Sequence, residues 1–570
     1  MRRLWSYLEG RRLWAAALVL VGVGNAVCQT GGWLLVRNAI DGGIVARNEH
    51  HLLIVVLLYL GVAMSGWVLQ AILIRGLAGL GQRMVIGLRR GLFDHLTGLS
   101  LRYFSQQKAG WIIARLTSDV DAVSDVLSQG LATIIASSIM LPAALAALLI
   151  ADWRLGLVVF GVVPPTLLLT RWFQKTSHVA LVETRNRIAA VTAQIAESVS
   201  GMAVVQAFNR ERRFQAEFDE LNEANRVQAA YTQKIVAIFF PSIEFLGVIA
   251  TGAVLYTGAH LYSNGTLTIG TLITSLYLLQ LVFQPLQDLS DVYSQAQSAA
   301  AAMVKIATIL DEEPDIRDRR KPTPLTRIEG DVHVDHVVFS YGRNPVLHGV
   351  DIHIPAGGCL ALVGESGGGK STLARLVGRF YDPDVGEVRV DGHDLRDVEL
   401  RSYRRQLGVV LQDPFLFSGT IASNIRFAKP DATDDEVVRA ARAVGVDRIA
   451  ARLTGGLEHT VREGGSGLSA GERQLISIAR ALLADPRILI LDEATSNIDR
   501  PTEVLIERAL DRLLHGRTSI IIAHRLSTVR RADQILVVEH GRIVQRGTYD
   551  ELLAQDGTFR RLAHDLEAAA

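Results

Sequence analysis

Six apolar runs, at residues 13–36, 52–74, 130–151, 155–173, 237–262 and 267–287, fill most of the first half of this 570-residue chain. Each is close to the roughly 20 residues that an α-helix needs to cross a bilayer. In hydrocarbon a backbone N–H or C=O has no water to bond, so spans of this kind must be helices. The second half has no such runs, and the 49% hydrophobic content is therefore unevenly spread. The amino terminus, MRRLWSYLEGRRLW, is basic and has no small-residue cleavage site, so the first run is expected to stay as an anchor.

The gaps between the runs are unequal. Those after the second and fourth runs are long and basic, with Arg83, Arg89, Arg90, Arg102 and Arg115 in one and Lys175, Arg185, Arg187, Arg210, Arg212 and Arg213 in the other. The short gaps carry few cations, so charge bias places the long loops and both termini in the cytoplasm. Segments such as VETRNRIAAVTAQIAESV repeat apolar residues at helical spacing, so the spans are expected to run on as helices beyond the membrane. Glu244, three residues after Pro241, is a carboxylate inside a span; a substrate or proton role and mere tolerance near a hydrated cavity both remain open.

From about residue 326 the pattern becomes short apolar strands, glycine-rich turns and amphipathic helices, an α/β domain. The expected division is a membrane domain over 1–310, a charged, proline-bearing linker over 311–325, and the α/β domain over 326–570. Net charge is +1, which lends no support to a nucleic-acid partner. Cys28 and Cys359 are too few for a disulfide framework, which suits a reducing compartment.

Three buried-strand signals end in chemistry. GCLALVG leads into Gly364-Glu365-Ser366-Gly367-Gly368-Gly369-Lys370-Ser371-Thr372, a phosphate loop: glycines let backbone amides curl around phosphates, and a helix N-terminus adds positive potential. Lys370 can reach the outer phosphates of ATP and Ser371 can ligate Mg2+. RILILDEA ends in Asp492, suited to Mg2+, and Glu493, placed to activate water. TSIIIAH ends in His524, within reach of a γ-phosphate if its strand neighbours the others.

With these motifs in this order, the chain resembles a half-transporter of the ATP-binding cassette exporters: a six-helix α transmembrane domain followed by an α/β P-loop nucleotide-binding domain. The resemblance implies an ATPase that moves drugs, lipids or other amphipathic molecules across a bacterial inner membrane, and implies a second half-transporter as partner. Siderophore-like import and a nucleotide-gated regulatory or channel role are the alternatives. It also implies that Tyr341 stacks on adenine, that Gln412 touches Mg2+, that Asp499 faces the partner, and that residues 103–123 and 197–218 couple the two domains.

One motif departs from the family. In place of LSGGQ, the turn that caps the partner subunit's ATP, this chain has Leu468-Ser469-Ala470-Gly471-Glu472. Ala470 adds a methyl where backbone approaches phosphate, and Glu472 either repels the nucleotide or, in an S-x-x-E capping box, folds back onto its own helix. An altered turn beside an intact Glu493 resembles one side of a heterodimeric exporter; a homodimer with weakened sites is the alternative.

Overall fold

In a computed structural model, the chain is described over residues 12–319, 321–492, 499–523 and 525–568. It divides into two compact units. The first contains Met1–Thr97 and Ala109–Glu312; the second contains Gly98–Lys108 and Glu313–Ala570.

The first unit is built on six helices long and apolar enough to cross a membrane: α1 (Ala16–Val45), α2 (Glu49–Gly98), α3 (Ala109–Ala151), α4 (Trp153–Ser200), α5 (Glu211–Ser263) and α6 (Ile269–Leu310). These agree with the six runs read from the sequence. At 42 to 53 residues, α2 to α6 far exceed the ~20 that a bilayer requires, so the amphipathic stretches do continue the spans. Polar caps set where the chain turns: the Asp152 carboxylate accepts from the amides of Arg154 and Leu155 at 2.8 and 3.3 Å to start α4. Thr268 does the same for α6, accepting from the Thr271 amide at 3.2 Å. Packing relies on small residues, with Ala144, Ala147 and Ala250 buried among Leu148, Leu155, Leu278 and Val282.

The second unit carries twelve strands among its described residues. An antiparallel sheet has the order β2-β1-β4-β5, made from β1 (Val332–Ser340), β2 (Pro345–Ile354), β4 (Val385–Val390) and β5 (His393–Asp394). A six-stranded sheet has the order β12-β11-β3-β10-β9-β6. Its members are β3 (Cys359–Val363), β6 (Leu407–Val410), β9 (Ile488–Asp492), β10 (Thr518–Ile522), β11 (Gln534–Glu539) and β12 (Arg542–Gly547). A small ladder pairs β7 (Gly419–Thr420) with β8 (Thr460–Val461). Three helices matter for the site: α7 (Lys370–Val377), α8 (Ala470–Ala484) and α9 (Arg500–Leu514). β3, β9 and β10 are buried almost throughout, which is why they read as unbroken apolar runs rather than alternating ones.

Residues Gly98–Lys108, although distant in sequence, cluster with the nucleotide unit. Ser100 donates to Asp315 at 3.2 Å, Arg102 pairs with Asp315 at 3.4 Å, and its guanidinium lies 5.8 Å from the Tyr381 ring centre.

Candidate nucleotide site and membrane cavity

The site is made by strand order. β3, β10, β9 and β6 are parallel neighbours, so their carboxyl ends share one edge of the sheet, where ligands bind in open α/β folds. The register aligns Ile522 with Leu362 on one side and with Asp492 on the other, and Leu491 with Val410. The phosphate loop after β3, Ala523 after β10, Asp492 at the end of β9 and the loop holding Gln412 therefore share this edge. Glu493 and His524 lie outside the described residues.

The phosphate loop has a backbone that few side chains would allow. Gly364, Gly367 and Gly369 have φ of 142°, 83° and 104°. A Cβ at Gly364 would sit 2.2 Å from the Val538 carbonyl oxygen, and one at Gly368 would sit 2.8 Å from the same atom. β11 thus presses against the loop from behind. Lys370 opens α7, and its ammonium donates to the Gly364 and Glu365 carbonyls at 2.7 Å each, curling the loop around it. Burial pulls Lys370 below the ordinary lysine range, while the carboxylates of Asp492 and Glu365 oppose that shift. Among the described residues the Ser371 hydroxyl makes no hydrogen bond. Together with Asp492 and the exposed Gln412 it supplies only oxygen donors, the chemistry that Mg2+ prefers.

Tyr341 lies just past β1. Its hydroxyl is 3.2 Å from Thr372 Oγ1, and the Arg375 guanidinium donates to it at 3.3 Å. Tyr341 also meets Phe339 and Tyr381 edge-on at 5.0 and 5.2 Å between ring centres. The aromatic is thereby tied to the helix that the phosphate loop begins.

The LSAGE turn resolves one open question. Ser469 caps α8 and accepts from the Glu472 amide at 3.2 Å, while the Glu472 carboxylate accepts from the Ser469 amide at 2.9 Å. The other Glu472 oxygen pairs with Arg452 at 3.4 Å. Glu472 is thus turned back on its own helix and its charge has a partner. Ala470 is the first residue of α8, and Gly471 is buried. Asp499 caps α9, accepting from the amide and hydroxyl of Thr502 at 3.1 and 2.9 Å; these bonds hold its carboxyl below the usual range.

Sequence reading missed the clamp between α8 and the Gln412 loop. Arg480 of α8 donates to the Asn424 carbonyl at 2.9 Å and to the Phe415 carbonyl at 3.2 Å, and Asn424 exchanges two bonds with the Phe417 backbone. The available signal was an arginine in the middle of the apolar run ISIARALLA.

The ABC transporter transmembrane-region model matches residues 16–286, and the ABC transporter model matches 347–496. An uncharacterized ABC transporter ATP-binding protein of Bacillus subtilis is 37% identical over 99% of this chain and 94% of its own length. An ATP-dependent lipid A-core flippase of Syntrophus aciditrophicus is 36% identical over 97% of this chain and 92% of its own. The chain belongs to the ABC transporters. A bacterial Atm1-family ABC exporter solved with ATP bound is 28% identical and superposes with a TM-score of 0.81 over 99% of both chains. A fatty acid ABC transporter ATP-binding/permease protein of Mycobacterium tuberculosis is 37% identical over 91% of this chain and 81% of its own length. This ABC transporter chain is an exporter-type half-transporter, a multi-pass membrane protein that couples ATP hydrolysis to transport.

The transporter's membrane unit holds a cavity of about 240 Å3 lined from α1, α2, α3 and α6. Its walls include Met140, Leu281 and Pro285, yet it also collects Asn25, Gln70 and Asp288. Asn25 donates to Gln70 at 2.7 Å, Gln29 donates to the same Gln70 oxygen at 3.2 Å, and Asn25 Oδ1, although buried, has no partner among the described residues. Asp288 accepts from Gln284 at 3.1 Å and Ser137 at 3.4 Å, and no cation pairs with it among the described residues. Glu244, the carboxylate singled out from sequence, lies exposed on α5 outside this cluster. Asp288 escaped notice because it sits just past an apolar run; the signal was the four-residue spacing of Asn25 with Gln29 and of Gln284 with Asp288, which puts each pair on one helix face.

Proposed function

We propose that this half-transporter works in a dimer with two composite ATP sites and exports an amphipathic small molecule or lipid from the cytoplasmic side of a bacterial inner membrane. The observation that carries this reading is the shared edge of β3, β10, β9 and β6, which gathers the phosphate loop, Asp492 and the Gln412 loop. In this reading Tyr341 stacks on adenine. The amides of Ser366 to Thr372 and the Lys370 ammonium hold the phosphates. Ser371, Gln412 and Asp492 hold Mg2+, which when bound neutralises phosphate charge. Glu493 orients and deprotonates the attacking water, and His524 contacts the γ-phosphate.

Ser469 and Gly471 present the α8 N-terminus to the partner's ATP, with Glu472 serving as cap rather than contact. The nucleotide unit and both termini lie in the cytoplasm on the strength of the basic long loops.

Heterodimeric assembly rests on the Ala470 methyl. The capping of Glu472 favours the homodimer, because it removes the electrostatic reason for a weakened site. The native mass of the purified complex distinguishes one subunit type from two.

The cargo proposal rests on the cavity around Asn25 and Asp288, apolar walls with a polar core, and on relatives named for lipid A-core, fatty acids and multidrug efflux. Reconstitution in liposomes tests the whole. ATP must drive uptake of a lipid or amphiphile into inside-out vesicles, and Glu493→Gln must abolish both hydrolysis and uptake while ATP still binds. Full hydrolysis by that variant would overturn the assignment.

A further inference from the structure

The antiparallel sheet carries a second cluster that ATP chemistry does not use. The sequence repeats one pattern on two strands, Asp331-Val332-His333-Val334 and Asp351-Ile352-His353-Ile354. The register pairs Val332 with Ile354, His333 with His353, and Val334 with Ile352. Those four aliphatic residues are at most 4% exposed, so the two histidines stand directly opposite each other on the outer face. Asp331, two residues before His333, shares that face. The rings stack with centres 4.1 Å apart and planes at 17°. Nε2 of His333 and of His353 point at the two oxygens of Asp331, at 2.9 and 2.8 Å.

We infer that Asp331, His333 and His353 form a zinc site that staples β1 to β2. All three donor atoms lie within 4.8 Å of one another. Ligands at ~2.0 Å around a tetrahedral zinc ion are separated by about 3.3 Å. To admit the ion, the Asp331–histidine contacts open by about 0.4–0.5 Å and the two stacked rings swing apart so that both Nε2 lone pairs converge on it. Two imidazoles and one carboxylate suit zinc, whereas Mg2+ and Ca2+ prefer all-oxygen sets. Water fills the fourth position on the solvent side.

The surroundings are already built. Asp391 accepts from the amides of Glu329, Gly330 and Asp331 at 2.7, 2.9 and 2.8 Å, fixing the turn that places Asp331. Asp351 is engaged with the His336 amide at 2.7 Å and does not compete. Arg389, opposite His333 on β4, is held by Asp335 and Glu387 at 2.9 and 3.3 Å, so its charge is neutralised. Binding moves each Nε2 proton to Nδ1 or to solvent, because the metal takes the Nε2 lone pair.

The site is eight residues along the chain from Tyr341, about 26 Å at strand spacing, so it acts on stability and not on the nucleotide. The test is calorimetric titration of Zn2+, without nucleotide, into the tag-free full-length dimer in detergent. One zinc per chain is expected, and it raises the unfolding temperature. His353→Ala and Asp331→Asn should each weaken binding by more than about tenfold, and the exposed control His515→Gln should not. Metal-free His353→Ala should keep wild-type ATPase activity. No zinc binding by the wild type, or undiminished binding in both His353→Ala and Asp331→Asn, overturns the site.

Discussion

The two units bury their chains against different solvents. In the nucleotide unit the central strands carry shielded side chains, with Ile520 and Leu360 both 1% exposed. In the membrane unit, Leu20, Trp67 and Ile150 are each more than 70% exposed. Apolar surface costs little where lipid is the neighbour, so packing there depends on small residues and on polar groups gathered inside. One unit thus spends its polar residues at a strand edge facing water and nucleotide. The other hides them in a cavity between α1, α2, α3 and α6.

The largest expected effect probes the strand edge. Lys370→Ala should lower ATP hydrolysis by about 10^3-fold, with the unit still folded, because a preorganised charge at the phosphates is lost. ATPase assay beside circular dichroism reads both. Activity within a few-fold of wild type would break the idea that this edge is the catalytic one.

The contrast in solvent predicts unequal costs for similar truncations. Ile520→Ala should destabilise its unit by about 2–5 kcal/mol. Leu58→Ala, at a position 53% exposed on α2, should stay within about 0.5 kcal/mol in lipid. Thermal unfolding in nanodiscs compares them, and equal costs would end the contrast.

A smaller effect separates two membrane carboxylates. Asp288→Asn should reduce stimulation of ATPase by the transported amphiphile by about tenfold, the worth of one charged hydrogen bond, with basal activity retained. Glu244→Gln should leave stimulation near wild type, and the reverse ranking would move the cargo site to α5.

The smallest effect concerns the α8 turn. Ser469→Ala should cost about 1 kcal/mol of stability as the cap is lost. Glu472→Gln, which keeps a side-chain oxygen at the same place, should cost less than about 0.5 kcal/mol. A Glu472→Gln variant that raised ATP affinity severalfold would restore the repulsive reading of that residue.

Much of this was legible in the residues. Six spans followed from length and apolarity, and the phosphate loop followed from glycines between a strand and a helix. The capping box was visible as S-x-x-E, but the same letters allowed Glu472 to face the nucleotide. Only the hydrogen bonds and the Arg452 partner separated the two readings. Arg480 was not singled out because its partner Asn424 lies 56 residues away, and the Ser137 that meets Asp288 lies 151 residues away.

Taken alone, the sequence determined which segments are long and apolar enough to enter lipid and which glycine-rich turn joins a buried strand to a helix. These properties reside in local patterns of burial and backbone freedom. Tertiary structure decided what stands beside what: the order β3-β10-β9-β6 that brings four strand ends to one edge, the meeting of Asn25 with Gln70, and the facing of His333 by His353. Such pairings join residues remote in the chain, and they are set by which register and helix packing bury the whole apolar surface at once.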